Sequence, residues 1–395
     1  MNLIYVGSSR PESKTKELLE MGSIVNFAGN TLQNALLEGF YAHNPNLKII
    51  SSWGITTYPK VKKIFFEREK LSYGGKKGNY IYVGALNLPI LNLLSRFIRT
   101  RKELKRQLSK SEDNAVVIYE VHTPFLLAIA TLRKRIKKTC LIVPDLPEFM
   151  SGKKGFIHKV LKRVDKWLIN KCLTKIDSYA LLSEPMQERL PMENKHWTMM
   201  EGIFQPLQHE EKVEKEVLRT IMYTGGVFYR RGVDILLDAF ERIDKSNYRL
   251  WIRGNGEMVS EIKERAKKDP RIIYFDPMSR EELLKMERKA TIMINPTPPS
   301  LDFTKYFFPS KTMEYLASGT PTVMYRLGCM PKEYDEHVYY VDDERIETLR
   351  DRLIEICEKP QPELDKFGAE AREFVLKEKS PYIQCGKIIS LLENL

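Results

Sequence analysis

The sequence predicts an α/β protein made of two successive doubly wound domains, and three observations carry that expectation. A chain of 395 residues is too long for one ordinary hydrophobic core, so two domains of roughly 200 residues each are expected. Strand-like apolar runs alternate with helical patterns in both halves, which is how a parallel sheet covered by helices reads. A polar, charged stretch, His209 to Val217, lies between the halves as a linker would. The expected division is residues 1–205 and 206–380, followed by a helical terminal segment, 381–395.

Composition is that of a globular protein, 43% hydrophobic and 29% charged. Cys140, Cys172, Cys329, Cys357 and Cys385 are scattered without a C-x-x-C pair, which argues against a zinc site or disulfide framework and for a reducing compartment. The first residues, MNLIYVGSSRPESK, begin directly on a strand and lack the basic and apolar regions of a signal peptide. No apolar run reaches the roughly 18 residues of a membrane span, so a cytoplasmic protein is expected. The net charge of +12 is unevenly placed: residues 1–200 hold 33 Lys and Arg against 17 Asp and Glu, a balance of +16, and the remainder hold 31 against 35, a balance of −4. A basic half points to an acidic partner, either anionic lipid headgroups or nucleic acid.

In the first half the expected strands are Leu3 to Val6, Leu47 to Ser51, Tyr80 to Val83, Val116 to Tyr119, Leu141 to Val143 and Tyr179 to Leu182. A long connection, Gly7 to Phe27, leads into AGNTLQNALLEGF and places Gly29 and Asn30 at the start of the first helix. That position is the carboxyl edge of the sheet, where ligands of doubly wound folds bind. YEVHTPF puts His122 at the same edge, while Asp145 and Glu148 in VPDLPEF read as a rigid turn. Two helices, Leu88 to Leu108 and Gly155 to Leu173, combine apolar stripes with basic residues; the second carries Lys159, Lys162, Arg163, Lys166 and Trp167. Such a mixture suits either a core-facing helix or one lying in a membrane interface.

The second half repeats the architecture. RTIMYTGG runs into VFYRRGVDILLDAF, with Gly225 and Gly226 forming a turn and Arg231 standing before Gly232. Strands follow at Arg249 to Ile252, Ile272 to Tyr274 and Thr291 to Ile294. WIRGNGE holds a glycine turn but lacks the full G-x-G-x-x-G spacing, so a dinucleotide site is poorly supported. NPTPPSLDF then delivers the chain to FFPSKTMEYLASGTPTV. Pro309 and Ser310 are suited to open a helix, Gly319 and Pro321 to stop it, and Thr322 to Tyr325 to form a buried strand. Lys311 and Glu314 share one face of the first turn, where a helix N-terminus favours bound phosphate. A capping box would need an acid or amide three residues after Ser310, and Met313 is there, so Glu314 is not explained as a capping partner.

PSKTMEYLASGTPTV resembles the donor-site signature of family 4 (group 1) glycosyltransferases, and the Gly225–Gly226 turn with Arg231 resembles the same family's glycine turn and basic residue. The family has lysine where this chain has Arg231, and an arginine where it has Gly226. The resemblance implies the GT-B fold, two Rossmann-like domains facing across a cleft, with the terminal helix crossing back to the first domain. It implies retaining transfer of a sugar from a nucleotide sugar, a UDP-sugar being the expected donor, to a hydroxyl acceptor. Glu314 would accept hydrogen bonds from the ribose, and His122 would touch the transferred sugar. The Gly29–Asn30 turn would approach the donor's phosphates or sugar, with Ser310, Gly225 and Gly226 also on the donor. Arg231 and Lys311 would stabilise the departing diphosphate without a metal, and no D-x-D triad is evident. Tyr306 stands where the family has a second glutamate, eight residues before Glu314, which leaves recognition of the sugar open.

With the basic first half, this reading extends to a lipid-linked acceptor, probed from the inner face of a membrane in making a bacterial surface polysaccharide, capsule or exopolysaccharide. Lys153, Lys154, Lys159, Lys162, Arg163 and Lys166 would meet the anionic surface. The rival enzyme is a sugar-nucleotide epimerase on the same fold, against which Tyr306 in place of an acid speaks. The rival from another class is a nucleic-acid-binding protein; no recognition motif supports it, and aromatic residues are not interleaved with the basic ones.

Overall fold

The computed structural model describes residues 1–110, 113–146, 148, 156–206, 213–276 and 278–395, with the backbone alone for 156–160. Lys153, Lys154 and residues 209–212 of the expected linker His209–Val217 lie outside the described residues. The chain forms two compact units: Met1–Ile203 together with Pro381–Leu395, and Phe204–Ser380.

The strands of unit 1 are β1 (Asn2–Gly7), β2 (Lys48–Ser52), β3 (Phe65–Phe66), β4 (Glu69–Tyr73), β5 (Lys76–Val83), β6 (Ala85–Leu86), β7 (Asn114–Tyr119), β8 (Lys138–Val143), β9 (Ser178–Leu181) and β10 (His196–Met199). Eight of them form one sheet in the order β10-β9-β8-β7-β1-β2-β5-β4, and β3 pairs with β6 separately. Every pairing in the large sheet is parallel except the antiparallel edge β4–β5. β1 and β7 are buried at every residue, as central strands covered on both faces must be, and therefore read as unbroken apolar runs. The covering helices are α1 (Glu12–Glu20), α2 (Phe27–His43), α3 (Leu91–Gln107), α4 (Thr123–Leu132) and α5 (Phe156–Leu173).

The connection after β1 differs from expectation, because α1 fills its middle. Only Thr15 and Leu18 of that helix are buried, so its apolar signal is weak. The next helix starts earlier than expected: Asn26 caps α2 by accepting from the Gly29 N–H at 2.9 Å, which puts Gly29 and Asn30 inside the first turn.

Unit 2 contains β11 (Arg219–Thr224), β12 (Tyr248–Arg253), β13 (Ile272–Phe275), β14 (Ile292–Asn295), β15 (Thr322–Tyr325) and β16 (Tyr339–Val341), all parallel, in the order β13-β12-β11-β14-β15-β16. Its helices are α6 (Val233–Glu241), α7 (Val259–Lys268), α8 (Arg280–Lys289), α9 (Ser310–Ser318), α10 (Ile346–Cys357) and α11 (Gln361–Glu378). Under the sheet, Met222, Leu283, Ala290, Met293 and Tyr315 form a buried cluster with Trp251 packed against it. Both sheets reverse direction about their first strand. The chain builds outward from β1 through β2 and from β11 through β12, then returns to place β7 beside β1 and β14 beside β11. The carboxyl ends of these neighbouring strands are the topological switch points, where a doubly wound sheet opens a crevice.

The last helix, α12 (Pro381–Glu393), packs on α2 in unit 1. Gly39 makes this possible, since a Cβ there would lie 2.2 Å from the Pro381 carbonyl oxygen and 2.5 Å from Cys385 Sγ. His43 stacks on Tyr382 with ring centroids 4.1 Å apart and shares a 2.8 Å hydrogen bond with the Tyr382 carbonyl. Among the described residues no helix is long and apolar enough to cross a membrane.

Candidate functional site

At the switch point of unit 2, β11 ends in Gly225–Gly226 and the chain enters a short turn, Tyr229–Arg231, closed by Gly232 at φ 70°. Only glycine fits at 232, because a Cβ would stand 2.0 Å from the Pro296 carbonyl oxygen beyond β14. The glycines of WIRGNGE serve a similar close approach. A Cβ on Gly254 would meet the Gly225 carbonyl oxygen at 1.7 Å and one on Gly256 the Val227 oxygen at 2.2 Å, so the two loops after β11 and β12 lie against each other. Their contact is sealed by backbone bonds from Gly225 N–H to Arg253 O (3.0 Å) and from Val227 N–H to Asn255 O (3.0 Å).

The turn aims Arg231 at the segment that enters α9. Its guanidinium stands 4.6 Å from the Phe307 ring centroid and 5.7 Å from that of Phe303, a stacking that fixes the planar group. The sequence assigned the α9 cap to Ser310, but the cap position is Pro309; Ser310 is the first helical residue and is exposed. Among the described residues no side chain caps this N-terminus; the Thr312 N–H donates to the Pro309 carbonyl at 2.8 Å, and those of Ser310 and Lys311 precede it in the first turn. Lys311 and Glu314, one turn apart, form an ion pair with each other. Tyr306 is buried, at 5% exposure.

Behind these residues lies a buried network that sequence reasoning missed. The Tyr315 hydroxyl donates to the Thr224 carbonyl at 2.6 Å and accepts from the Thr224 N–H at 3.0 Å, pinning the end of β11 to α9. The Thr224 hydroxyl donates to Glu287 Oε1 at 2.9 Å. Glu287 is fully buried on α8, and its Oε2 has no hydrogen-bond partner among the described residues. Burial, then the nearby Glu314 carboxylate, pushes its carboxyl up to about 7, against the opposing pull of Lys311. One signal was available: Glu287 occupies the helical stripe that begins at Leu283 and Leu284, a position where an apolar residue is expected.

The remaining expected residues belong to unit 1. His122 lies at the carboxyl end of β7, at the cap position of α4, with its ring edge-on to Phe125 at 4.7 Å. Its Nε2 is buried without a partner among the described residues, and burial lowers the imidazole to about 3, so the ring is neutral. Gly29 donates its N–H to Asn26, as described above. Asn30 is engaged at both ends of its amide: Oδ1 accepts from the Arg10 N–H at 2.8 Å and Nδ2 donates to the Arg10 carbonyl at 3.0 Å. Asp145 and Glu148 are both exposed, and Glu148 lies 3.6 Å from Arg189. The described residues of α3 and α5 show outward apolar groups: Leu94 and Ile98 are each 52% exposed, Val164 51% and Trp167 59%.

Comparison with known proteins agrees with this geometry. Residues 218–359 match the family model for glycosyl transferases group 1, so this stretch of unit 2 is similar to a group 1 glycosyltransferase domain. No curated protein matches the chain in sequence at a significant level. Solved structures match over nearly the whole length. A sucrose-phosphate synthase from Thermosynechococcus elongatus superposes with a TM-score of 0.65 at 13% identity, covering 99% of each chain. HepE of Anabaena, in complex with UDP, gives 0.64 at 11% identity over 100% of both chains. WaaG, a glycosyltransferase involved in lipopolysaccharide biosynthesis, gives 0.59 at 12% identity over 99% of both. At such identities the likeness is one of fold: two Rossmann-like units of the GT-B type.

Proposed function

We propose that the chain is a retaining glycosyltransferase that moves a sugar from a nucleoside diphosphate sugar, a UDP-sugar in the first instance, to a hydroxyl of a glycan acceptor. The first turn of α9 carries this reading. An uncapped helix N-terminus, a lysine and a glutamate stand together at the switch point, with Arg231 stacked beside the entry to the helix. As the sugar leaves, negative charge grows on the diphosphate, and Arg231, Lys311 and the N–H groups of α9 are preorganised to receive it without a metal. Glu314 takes the ribose hydroxyls, which requires its ion pair with Lys311 to open as the donor binds. In unit 1, the neutral imidazole of His122 meets the transferred sugar.

Support for the acceptor comes from unit 1. The charge balance of +16 over residues 1–200 accompanies exposed apolar groups on α3 and α5, with Lys162, Arg163 and Lys166 exposed beside Val164 and Trp167. That combination suits docking on an anionic membrane face, where a polyprenyl-linked acceptor for a surface polysaccharide would be found. The side chain of Lys159 lies outside the described residues. An epimerase gains nothing from the structure, since Tyr306 supplies no carboxylate, and nothing indicates nucleic-acid binding. The test is a panel of nucleotide sugars scored for thermal stabilisation and for slow hydrolysis. Stabilisation by one nucleotide sugar, with release of the nucleoside diphosphate, is expected; no stabilisation by any member would remove the reading.

A further inference from the structure

The switch point of unit 1 holds two arginines that pair with no acid among the described residues. Arg10, just past β1, is 4% exposed. Asn30 and Asn34 hold its backbone, the latter donating to the Arg10 carbonyl at 3.1 Å. Its guanidinium donates to the carbonyls of Gly54 (3.2 Å) and Asn26 (3.5 Å), while Nε is buried without a partner. Arg96, half-buried on α3, donates to the Trp53 carbonyl, and its Nε is also buried and unpartnered. The two guanidiniums are thus anchored on consecutive carbonyls, those of Trp53 and Gly54, at the end of β2. Neither forms an ion pair among the described residues.

A buried charge left unpaired costs several kcal/mol, so this edge is short of negative charge. The acid nearest to hand is Glu120, one residue past β7 and held at φ 66°. It lies within electrostatic reach of both arginines yet pairs with neither, and burial pushes its carboxyl up to about 7. One carboxyl that pairs with neither arginine does not discharge two guanidiniums. The Trp53 indole N–H, also buried without a partner, adds a further donor at the end of β2. Arg10 past the end of β1, Trp53 past the end of β2 and Arg96 of α3 therefore place donors at one edge of the sheet, where a doubly wound fold binds its ligand.

We propose that this edge of unit 1 is a phosphoryl-binding site, with Arg10 and Arg96 as its ligands, and that the acceptor substrate is a phosphoryl-bearing molecule. Guanidinium forks match phosphate oxygens in pairs, and a bound phosphate supplies the charge that the site lacks. The word acceptor rests on the transferase reading above; the phosphate site does not.

The full-length protein, its donor site first saturated with UDP, is titrated calorimetrically with inorganic phosphate and with pyrophosphate. Binding is expected, weakened about tenfold or more in Arg96→Gln and unchanged in Lys268→Met, an exposed cation of unit 2. Arg96→Gln is the primary variant because Arg96 is the less buried of the pair; Arg10→Gln is added if its melting curve shows it folded. No binding of either anion, or equal binding by the unsubstituted protein and Arg96→Gln, overturns the proposal. Phosphate binding that depends on Arg96 in a protein that binds no nucleotide sugar would sink the transferase reading and leave this site standing; the reverse pattern would do the opposite. For the acceptor, a soluble sugar phosphate and a short polyprenyl phosphate are compared in the transfer assay. Turnover on either, lost in Arg96→Gln, supports the proposal and tells the two sources apart. Turnover on an uncharged sugar that is indifferent to Arg96→Gln refutes it.

Discussion

Replacing Glu287 with glutamine removes a titration from the interior of unit 2 without changing the shape of the side chain. In the folded protein the carboxyl is raised to about 7 from an ordinary 4.5, because it is fully buried and faces Glu314. A raised carboxyl stabilises the fold while it is protonated, so its contribution is complete at low pH and is lost as pH climbs through about 7. Integrating that linkage between about pH 5 and about pH 8 gives a loss on the order of 2–3 kcal/mol for this one group. Glutamine keeps the acceptor for the Thr224 hydroxyl and carries no proton to lose. Urea unfolding of both proteins across this range should therefore show the unsubstituted chain losing on the order of 2–3 kcal/mol relative to Glu287→Gln. Other titrating groups, His122 and Glu120 among them, are common to both proteins and cancel in the difference. Curves that run parallel from acid to alkaline pH would refute the reasoning, since they would mean that Glu287 is ionised in the fold at no cost.

Three further outcomes are expected. Glu314→Ala should weaken nucleotide binding by about 1–3 kcal/mol, and unchanged affinity by calorimetry in a folded variant would remove the ribose role. Lys311→Met and Arg231→Met should lower kcat more than they raise the KM for the donor, because the interaction strengthens as charge develops; activity abolished by EDTA and restored by a divalent ion would contradict the metal-free account. Vesicle cosedimentation should require anionic lipid, weaken with salt, and fall when Lys159, Lys162, Arg163 and Lys166 are neutralised, each contributing about 1 kcal/mol at the surface. Equal recovery on neutral and anionic vesicles would remove the membrane from the account.

The parts of this fold that were legible in the sequence are those with both faces buried. β1, β7, β8 and β14 announce themselves as unbroken apolar runs, and their order alternates with helices closely enough to give the doubly wound class. Edge elements were not legible. β4, EKLSY, has no buried residue, and its pairing with β5 is fixed by the turn between them rather than by an apolar pattern. α1 was read as loop for the same reason. At the site, Lys311, Glu314 and Arg231 could be singled out because local helix chemistry and spacing set them apart. Glu287, Arg10, Arg96 and Glu120 could not, because what distinguishes them is burial beside partners far along the chain, which no local window contains. Asn30 carries a second role that no local window contains, since its amide holds the backbone of Arg10.

The return of α12 to unit 1 sets an order on synthesis. Unit 2 is one uninterrupted stretch, complete once Ser380 has emerged, whereas unit 1 waits for Pro381–Leu395. Leu36 and Phe40 of α2, fully buried in the finished protein, lie on the helix that α12 covers. A ribosome making this chain therefore finishes its middle before its beginning. Until the final helix arrives, the amino-terminal half carries an open apolar seam along α2, and that nascent intermediate, rather than the mature protein, is the form most in need of a chaperone.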